Sequence, residues 1–172
     1  SKDDLRFNSI IPSVSELVKT YCGNSFVDFY SSNKTETFTI DWETYVVQLT
    51  ESPVNSIVSV QERTTYGGSY STLTTGASEY YLESTTDSIL RTNASGGYQN
   101  WPKGVGSVKV VYTGGYSEIP SDLKLAVFDL ITYYYKDEHK QRQTIAGASL
   151  QNQGSSSQRM NVGFPDHIKR IL

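Results

Sequence analysis

Apolar residues recur along the chain with two different periods. Near the start, Val14, Leu17, Val18 and Tyr21 fall at i, i+3, i+4 and i+7, one face of a helix. Ser13 and Glu16 have the S-x-x-E spacing of a capping box, and Gly23 follows as a stop, so a short amphipathic helix is predicted over 12–22. Residues 1–11 are polar and mixed, which predicts loose order. From 25 to 113 the period becomes two, with Thr, Ser, Val, Ile and Tyr dominant. "TFTIDW" and "YVVQLT" predict two strands around a turn at Asp41–Thr44. "SIVSVQERTTY" predicts a longer strand, "YGGSY" a hairpin turn and "STLT" the return. "SEYYLES" and "SILRTN" form another pair, and "SVKVVYT" is the last strand. Residues 93–106 are rich in turn formers and read as a loop.

The glycines of "GGYSEIP", Gly114 and Gly115, sit where the last strand turns toward the strongest helical pattern, and one of them is expected at positive φ. Ser121 is placed to cap that helix, and Asp122 suits the positive end of its dipole. Leu123, Ala126, Val127, Leu130, Ile131 and Tyr134 make an apolar stripe that predicts a helix over 121–139. Residues 143–163 are poor in apolar groups and read as a functional or mobile loop. "FPDHIKRIL" predicts a short terminal helix opened by Pro165, with Ile168, Ile171 and Leu172 as its apolar edge. Strands in a run define an α+β fold. Its expected form is an antiparallel β-sheet and hairpin region inserted between an N-terminal helix and a long C-terminal helix, followed by a polar loop and a short terminal helix. The expected division is one α+β domain over 1–142, then a flexible loop and C-terminal docking segment over 143–172.

With 172 residues the chain can bury a core unaided. Its 13 Tyr supply much of the apolar area, and each hydroxyl needs a partner, which favours half-buried and interface positions. A net charge of −3 argues against a dedicated nucleic-acid binder, which carries a basic footprint. It suits a protein that lets DNA pass without gripping it. The single cysteine, Cys22, excludes an intrachain disulfide and a Cys-based metal site and fits a cytosolic origin. No stretch approaches the roughly 20 apolar residues of a membrane span. No signal peptide is visible, and the sequons at Asn33 and Asn93 read as chance matches. Ser1 in place of Met reads as a trimmed product or a fragment.

Candidate chemistry is sparse. "YTGGYSEIPSD" is neither a P-loop nor a dinucleotide fingerprint: no Lys stands beside the glycines, and Pro120 removes an N–H that an anion would need. It reads as a strand-to-helix corner. His139 lies in a solvated helix end and His167 in the terminal segment, neither beside a nucleophile motif. Asp137, Glu138 and His139 are adjacent on a helix and point apart, so they hold no metal. Glu36, Asp41, Glu43 and Glu79 lie among the strands with nothing to single out a glycosidase pair. Trp42, Tyr80, Tyr81, Tyr98 and Trp101 could stack a sugar or a base, although packing is the commoner fate of such residues. No catalytic residue, metal site or cofactor is predicted. Lys169 and Arg170 beside Ile168, Ile171 and Leu172 have the makeup of a docking tail, or of a tail packing on its own domain.

The order "SPVNSIVSVQ", "ASEYYLES", "ILRTNASGGYQNWP", "VKVVYTGGYSEIPSDLKLAVFDLITYYYKD" and "FPDHIKRIL" resembles the head–tail connector proteins of long-tailed bacteriophages, also called adaptor or head-completion proteins. The likeness rests on Pro53-Val54, Trp101-Pro102, Val111-Tyr112, Gly115-Tyr116, Ile119-Pro120, Asp122-Leu123-Lys124, Ala126 and Pro165, and covers residues 12–172. That family has more helix before the position of Ser13 than this chain's polar opening predicts, and a shorter, less polar loop than 143–163. The resemblance implies a structural virion protein, not an enzyme, assembled in the host bacterial cytoplasm. It implies a homo-oligomeric ring, typically dodecameric, beneath the portal protein at the capsid–tail junction. DNA would pass through the ring without sequence-specific binding, and a downstream stopper or tail-completion protein would attach below. Pro165, Ile168, Lys169, Arg170, Ile171 and Leu172 would then dock on the portal, while Gly114, Gly115, Pro120 and Asp122 form the structural corner. The rival class is a β-rich carbohydrate- or receptor-binding module using the Trp and Tyr side chains.

Overall fold

The computed structural model describes residues 2–75 and 78–136, with the backbone of 144–145 and 148–149. Among these the order is α1 (Lys2–Cys22), β1 (Lys34–Ile40), β2 (Val46–Gln48), β3 (Val54–Glu62), β4 (Ser71–Leu73), β5 (Tyr80–Glu83), β6 (Ser88–Arg91), β7 (Gly104–Gly114), α2 (Ser121–Tyr135), β8 (Thr144–Ile145) and β9 (Ala148–Ser149). The class is α+β with antiparallel sheets, as expected. The chain divides into two compact units, one built on α1 and α2, the other from Asn24–Glu118.

The β unit holds a four-stranded sheet in the order β1-β7-β3-β4 and a three-stranded sheet in the order β2-β6-β5. The β3–β4 hairpin forms around "YGGSY" with Val60 opposite Leu73, and β5 pairs β6 with Leu82 opposite Ile89. The two strands predicted around Asp41–Thr44 also form, but they do not pair with each other. β1 pairs β7 and β2 pairs β6, so the chain crosses from one sheet to the other at that turn. Val60, Val108, Val110 and Tyr112 from the first sheet meet Val47 and Ile89 from the second, with Trp101 buried among them. Fully burying side chains of this size is worth about 1.5–3 kcal/mol each.

In the helical unit, α1 begins ten residues before the predicted start and runs through Pro12. A proline inside a helix costs about 3 kcal/mol, so packing must hold the first turns. Phe7 stacks on Tyr135 with ring centroids 4.5 Å apart, Arg6 lies 5.1 Å over the same ring, and the Tyr135 hydroxyl donates to Asp3 at 3.2 Å. The start of α1 is thus fastened to the end of α2. Ser13 is not a cap: its Oγ donates to the Ser9 carbonyl at 2.9 Å, one turn back. In α2 the cap position belongs to Pro120 and not to Ser121, because Lys124 N–H donates to the Pro120 carbonyl at 2.9 Å as the first helical bond. The helix buries Leu123, Ala126 and Leu130, as its stripe predicts. The helix ends at Tyr135 with Lys136 as its C-cap, its N–H turned back to Thr132 O, short of the predicted end at 139; residues 137–139 and the terminal helix from Pro165 lie outside the described residues.

Candidate functional site

The corner expected at the glycine pair is a point of close backbone approach. Gly114 closes β7 with an ordinary φ, and Gly115 takes φ +96°. Their backbones fasten two neighbouring segments. Gly114 N–H donates to Phe29 O at 3.0 Å, Gly115 N–H to Pro53 O at 2.7 Å and Tyr116 N–H to Phe26 O at 2.6 Å. Asn55 Nδ2 donates to Gly115 O at 2.9 Å. With all these donors used internally, the corner offers no anion cradle. Asp122, in the first turn of α2, accepts locally from Leu123 N–H at 2.8 Å.

Beside the corner lies a buried polar network. Its phase along β1 explains it: Lys34 and Glu36 fall on the same inward face as Phe38 and Ile40, while Thr35, Thr37 and Thr39 point outward. Lys34 Nζ lies 2.7 Å from Glu51 and 3.1 Å from Glu36. Ser25 N–H and Oγ both donate to Glu51 Oε2 at 3.0 Å. The Tyr112 hydroxyl donates to Glu36 at 2.7 Å and accepts from Glu51 N–H at 3.1 Å. Burial pushes the Tyr112 phenol up to about 12; the Glu51 N–H works against this and the Glu36 carboxylate adds to it. Burial disfavours the Lys34 charge, but the hydrogen bonds to Glu51 and Glu36 outweigh it and raise its pKa. Both groups hold their protons more tightly when folded. Their contribution is therefore complete below pH ~10 and is lost as pH rises through the folded values. Tyr112→Phe is expected to cost about 1–3 kcal/mol in urea denaturation at pH 7 and to weaken the alkaline fall in stability above pH ~10.

The other predicted groups are dispersed. Trp101 is core, Tyr80 is half-buried, and Trp42, Tyr81 and Tyr98 are exposed, with Tyr98 stacked on Tyr45 at 4.4 Å. Glu79 accepts from Thr74 N–H at 2.7 Å, Glu43 lies 3.5 Å from Lys103, and Asp41 is exposed. Among the described residues no cluster of His, Cys, Asp and Glu could hold a metal. His139, His167 and the segment Pro165–Leu172 lie outside them. Leu125 and Phe128 stand exposed on α2, and an open groove of about 430 Å³ on the helical unit is lined by Ile10, Val14, Leu17 and Tyr134.

Comparison with known proteins supplies the family. The head completion protein family model matches residues 1–172. The chain belongs to the head completion protein family. The head completion protein of Escherichia phage T5 is 32% identical over 95 residues, 55% of this chain and 48% of the phage protein, so the match spans about half of that relative's length. Among solved structures, a chain in the neck of an empty gene transfer agent (GTA) particle, computed with C6 symmetry, aligns at TM-score 0.57 and 18% identity. The alignment covers 98% of this chain and 78% of that one. A chain in the neck of a native GTA particle, computed with C12 symmetry, aligns at TM-score 0.57 and 18% identity over 96% and 81% of the two chains. At this identity the likeness is one of fold. The helix before Ser13 that the resemblance implied, and that the polar opening of this chain conceals, is present in α1.

Proposed function

We propose that the chain is a structural virion protein at the capsid–tail junction, a head–tail connector that forms a ring beneath the portal. The ring extends the DNA channel and presents the surface to which the next connector, a stopper or tail-completion protein, attaches. The family match across residues 1–172 carries this reading. The GTA necks that contain chains of this fold were computed with C6 and C12 symmetry, which suits a dodecamer. A head-to-tail interface that closes makes a ring, and exposed Tyr, Leu and Phe suit lateral contacts. The acidic balance suits a channel wall that does not hold DNA tightly, since phosphate neutralisation drives affinity. Light scattering across concentration tests the reading: the free chain is expected as a monomer or weak oligomer and as a ring only with portal. A stable symmetric dimer in both conditions would overturn it.

Within this reading, residues 165–172 dock on the portal and 143–163 are their tether. Burying Ile168, Ile171 and Leu172 is worth roughly 1.5–3 kcal/mol each, too little for one tight contact but ample when repeated around a ring. Deleting 165–172 is expected to leave the circular dichroism spectrum unchanged and to abolish assembly on the portal. Retained assembly would remove the tail as anchor, and unfolding would mean that it packs on its own domain.

A further inference from the structure

The charges of the β unit are sorted between its faces. Asn24–Glu118 holds ten acidic and five basic residues. Lys34, Arg91 and Lys103 each lie against a carboxylate, at 2.7, 2.9 and 3.5 Å. Arg63 and Lys109 have no acidic partner among the described residues, and both lie on one ring, with Arg63 4.8 Å and Lys109 4.5 Å from the Tyr70 centroid. Arg63 is also fixed from behind. Its Nε donates to Gly106 O at 3.0 Å and its Nη2 to Val105 O at 3.1 Å, while the Tyr70 hydroxyl donates to Gly106 O at 2.7 Å. Gly106 at φ +59° makes room for this, since a Cβ there would lie 3.0 Å from the guanidinium.

The strand register extends the pattern across the outward face of the four-stranded sheet. Lys109 stands opposite Thr37 on β1 and Gln61 on β3, Val111 opposite Thr35 and Ser59, and Thr113 opposite Ser56. Thr72 of β4 joins by accepting from Gln61 at 3.1 Å. None of these positions is acidic. Glu36 and Glu62, which alternate with them, point inward to Lys34 and Arg91. A unit with twice as many acids as bases therefore presents one face, mostly of hydroxyls and amides with Val111 and the exposed Val58 of the β3 bulge among them, whose charges are two held cations, with the exposed Tyr66 ring 5.5 Å from Arg63 at its edge.

We propose that this face, centred on Lys109, Arg63 and the Tyr66–Tyr70 hairpin, is a sequence-independent contact surface for the phosphate backbone of duplex DNA. Cations set against hydroxyl and amide donors are the groups that position phosphates, and none of them reads a base edge. The evenly spaced phosphates of a duplex offer acceptors to the two cations and to the Thr row beside them at once. In its setting the proposal rests on the ring reading, in which such faces would turn toward the channel. Two phosphate contacts per subunit hold weakly, which lets DNA move, and they repeat around the ring.

The test is fluorescence anisotropy of a short labelled duplex titrated with the full chain at increasing salt. Each neutralised phosphate contributes about −0.9 to the slope of log affinity against log salt, so Arg63→Gln/Lys109→Gln should flatten that slope by about 1.8. Over a fourfold rise in salt the wild type should lose roughly tenfold more affinity than this variant. Thr37→Glu, which puts a carboxylate on the exposed face without touching the core, should abolish binding while leaving the melting temperature in place. An unchanged slope in the double variant overturns the proposal. So does loss of ring assembly by that variant with duplex affinity intact, which would make the face a contact between copies. Light scattering with portal reads the ring separately. Duplex binding through Lys109 and Arg63 by a chain that builds no ring supports the face and removes the ring reading.

Discussion

Gly115→Val is expected to destabilise the β unit by roughly 3–5 kcal/mol, a large part of the 5–15 kcal/mol typical of a domain. Two costs combine. Gly115 sits at φ +96°, which a β-branched residue adopts only under strain. A Cβ on Gly115 would also land on the Phe26 carbonyl oxygen, far inside contact distance, and that oxygen is held by Tyr116 N–H. Neither partner is a side chain that can swing away, so relief requires releasing the backbone bonds that join residues 26–29, 53 and 114–116. Gly114→Ala is the control. Gly114 has no positive φ, and its Cβ would lie 3.2 Å from Glu51 Cβ and Pro53 O, a crowding expected to cost about 1–3 kcal/mol. Urea denaturation followed by the fluorescence of buried Trp101 reads both. Equal, near-zero effects would mean that the corner is not the close approach described.

Arg91→Ala is expected to cost about 3–5 kcal/mol, the range for removing one partner of a buried ion pair. The Arg91 side chain is 7% exposed and forks onto Glu62, Nε at 3.0 Å and Nη2 at 2.9 Å. Its Nη1 donates to Glu79 O at 2.7 Å and Thr92 O at 2.8 Å. One guanidinium therefore joins β6 of the smaller sheet to β3 of the larger and satisfies two carbonyls. Truncation leaves Glu62 charged, mostly buried and alone. Arg91→Lys should not restore stability, because an ammonium lacks the fork. Arg91→Met with Glu62→Leu should recover most of it, because no charge then remains to be buried. A loss below about 1 kcal/mol for Arg91→Ala would place the pair with ordinary surface ion pairs.

Local chemistry made the hairpins legible. "YGGSY" and the Thr-Thr-Asp turn each bring two strands together within a few residues, and both pairs formed. β1 and β2 were legible as strands but not as members of different sheets, because their partners, β7 and β6, are chosen by burial across the whole unit. The first turns of α1 were hidden by Pro12 and by a polar opening whose apolar contact, Phe7 on Tyr135, is 128 residues away in sequence. The cap of α2 went to Pro120 because the chain arrives extended, with ψ 145°, leaving Ser121 already helical. The ion pairs could have been found from phase alone. Lys34 and Glu36 share the inward face of β1 with Phe38 and Ile40, and two opposite charges facing a core must meet partners. The acid-free outer face follows from the same alternation, once β1, β3 and β7 are known to lie side by side.

Electron microscopy of the chain mixed with the portal of its own capsid tests the central claim most directly. Class averages should show a closed ring of this chain beneath the portal, coaxial with it and continuing its channel, and the free chain should show none. Portal particles that remain bare under the same conditions, or copies bound on the outer wall with no shared axis, would contradict the connector reading.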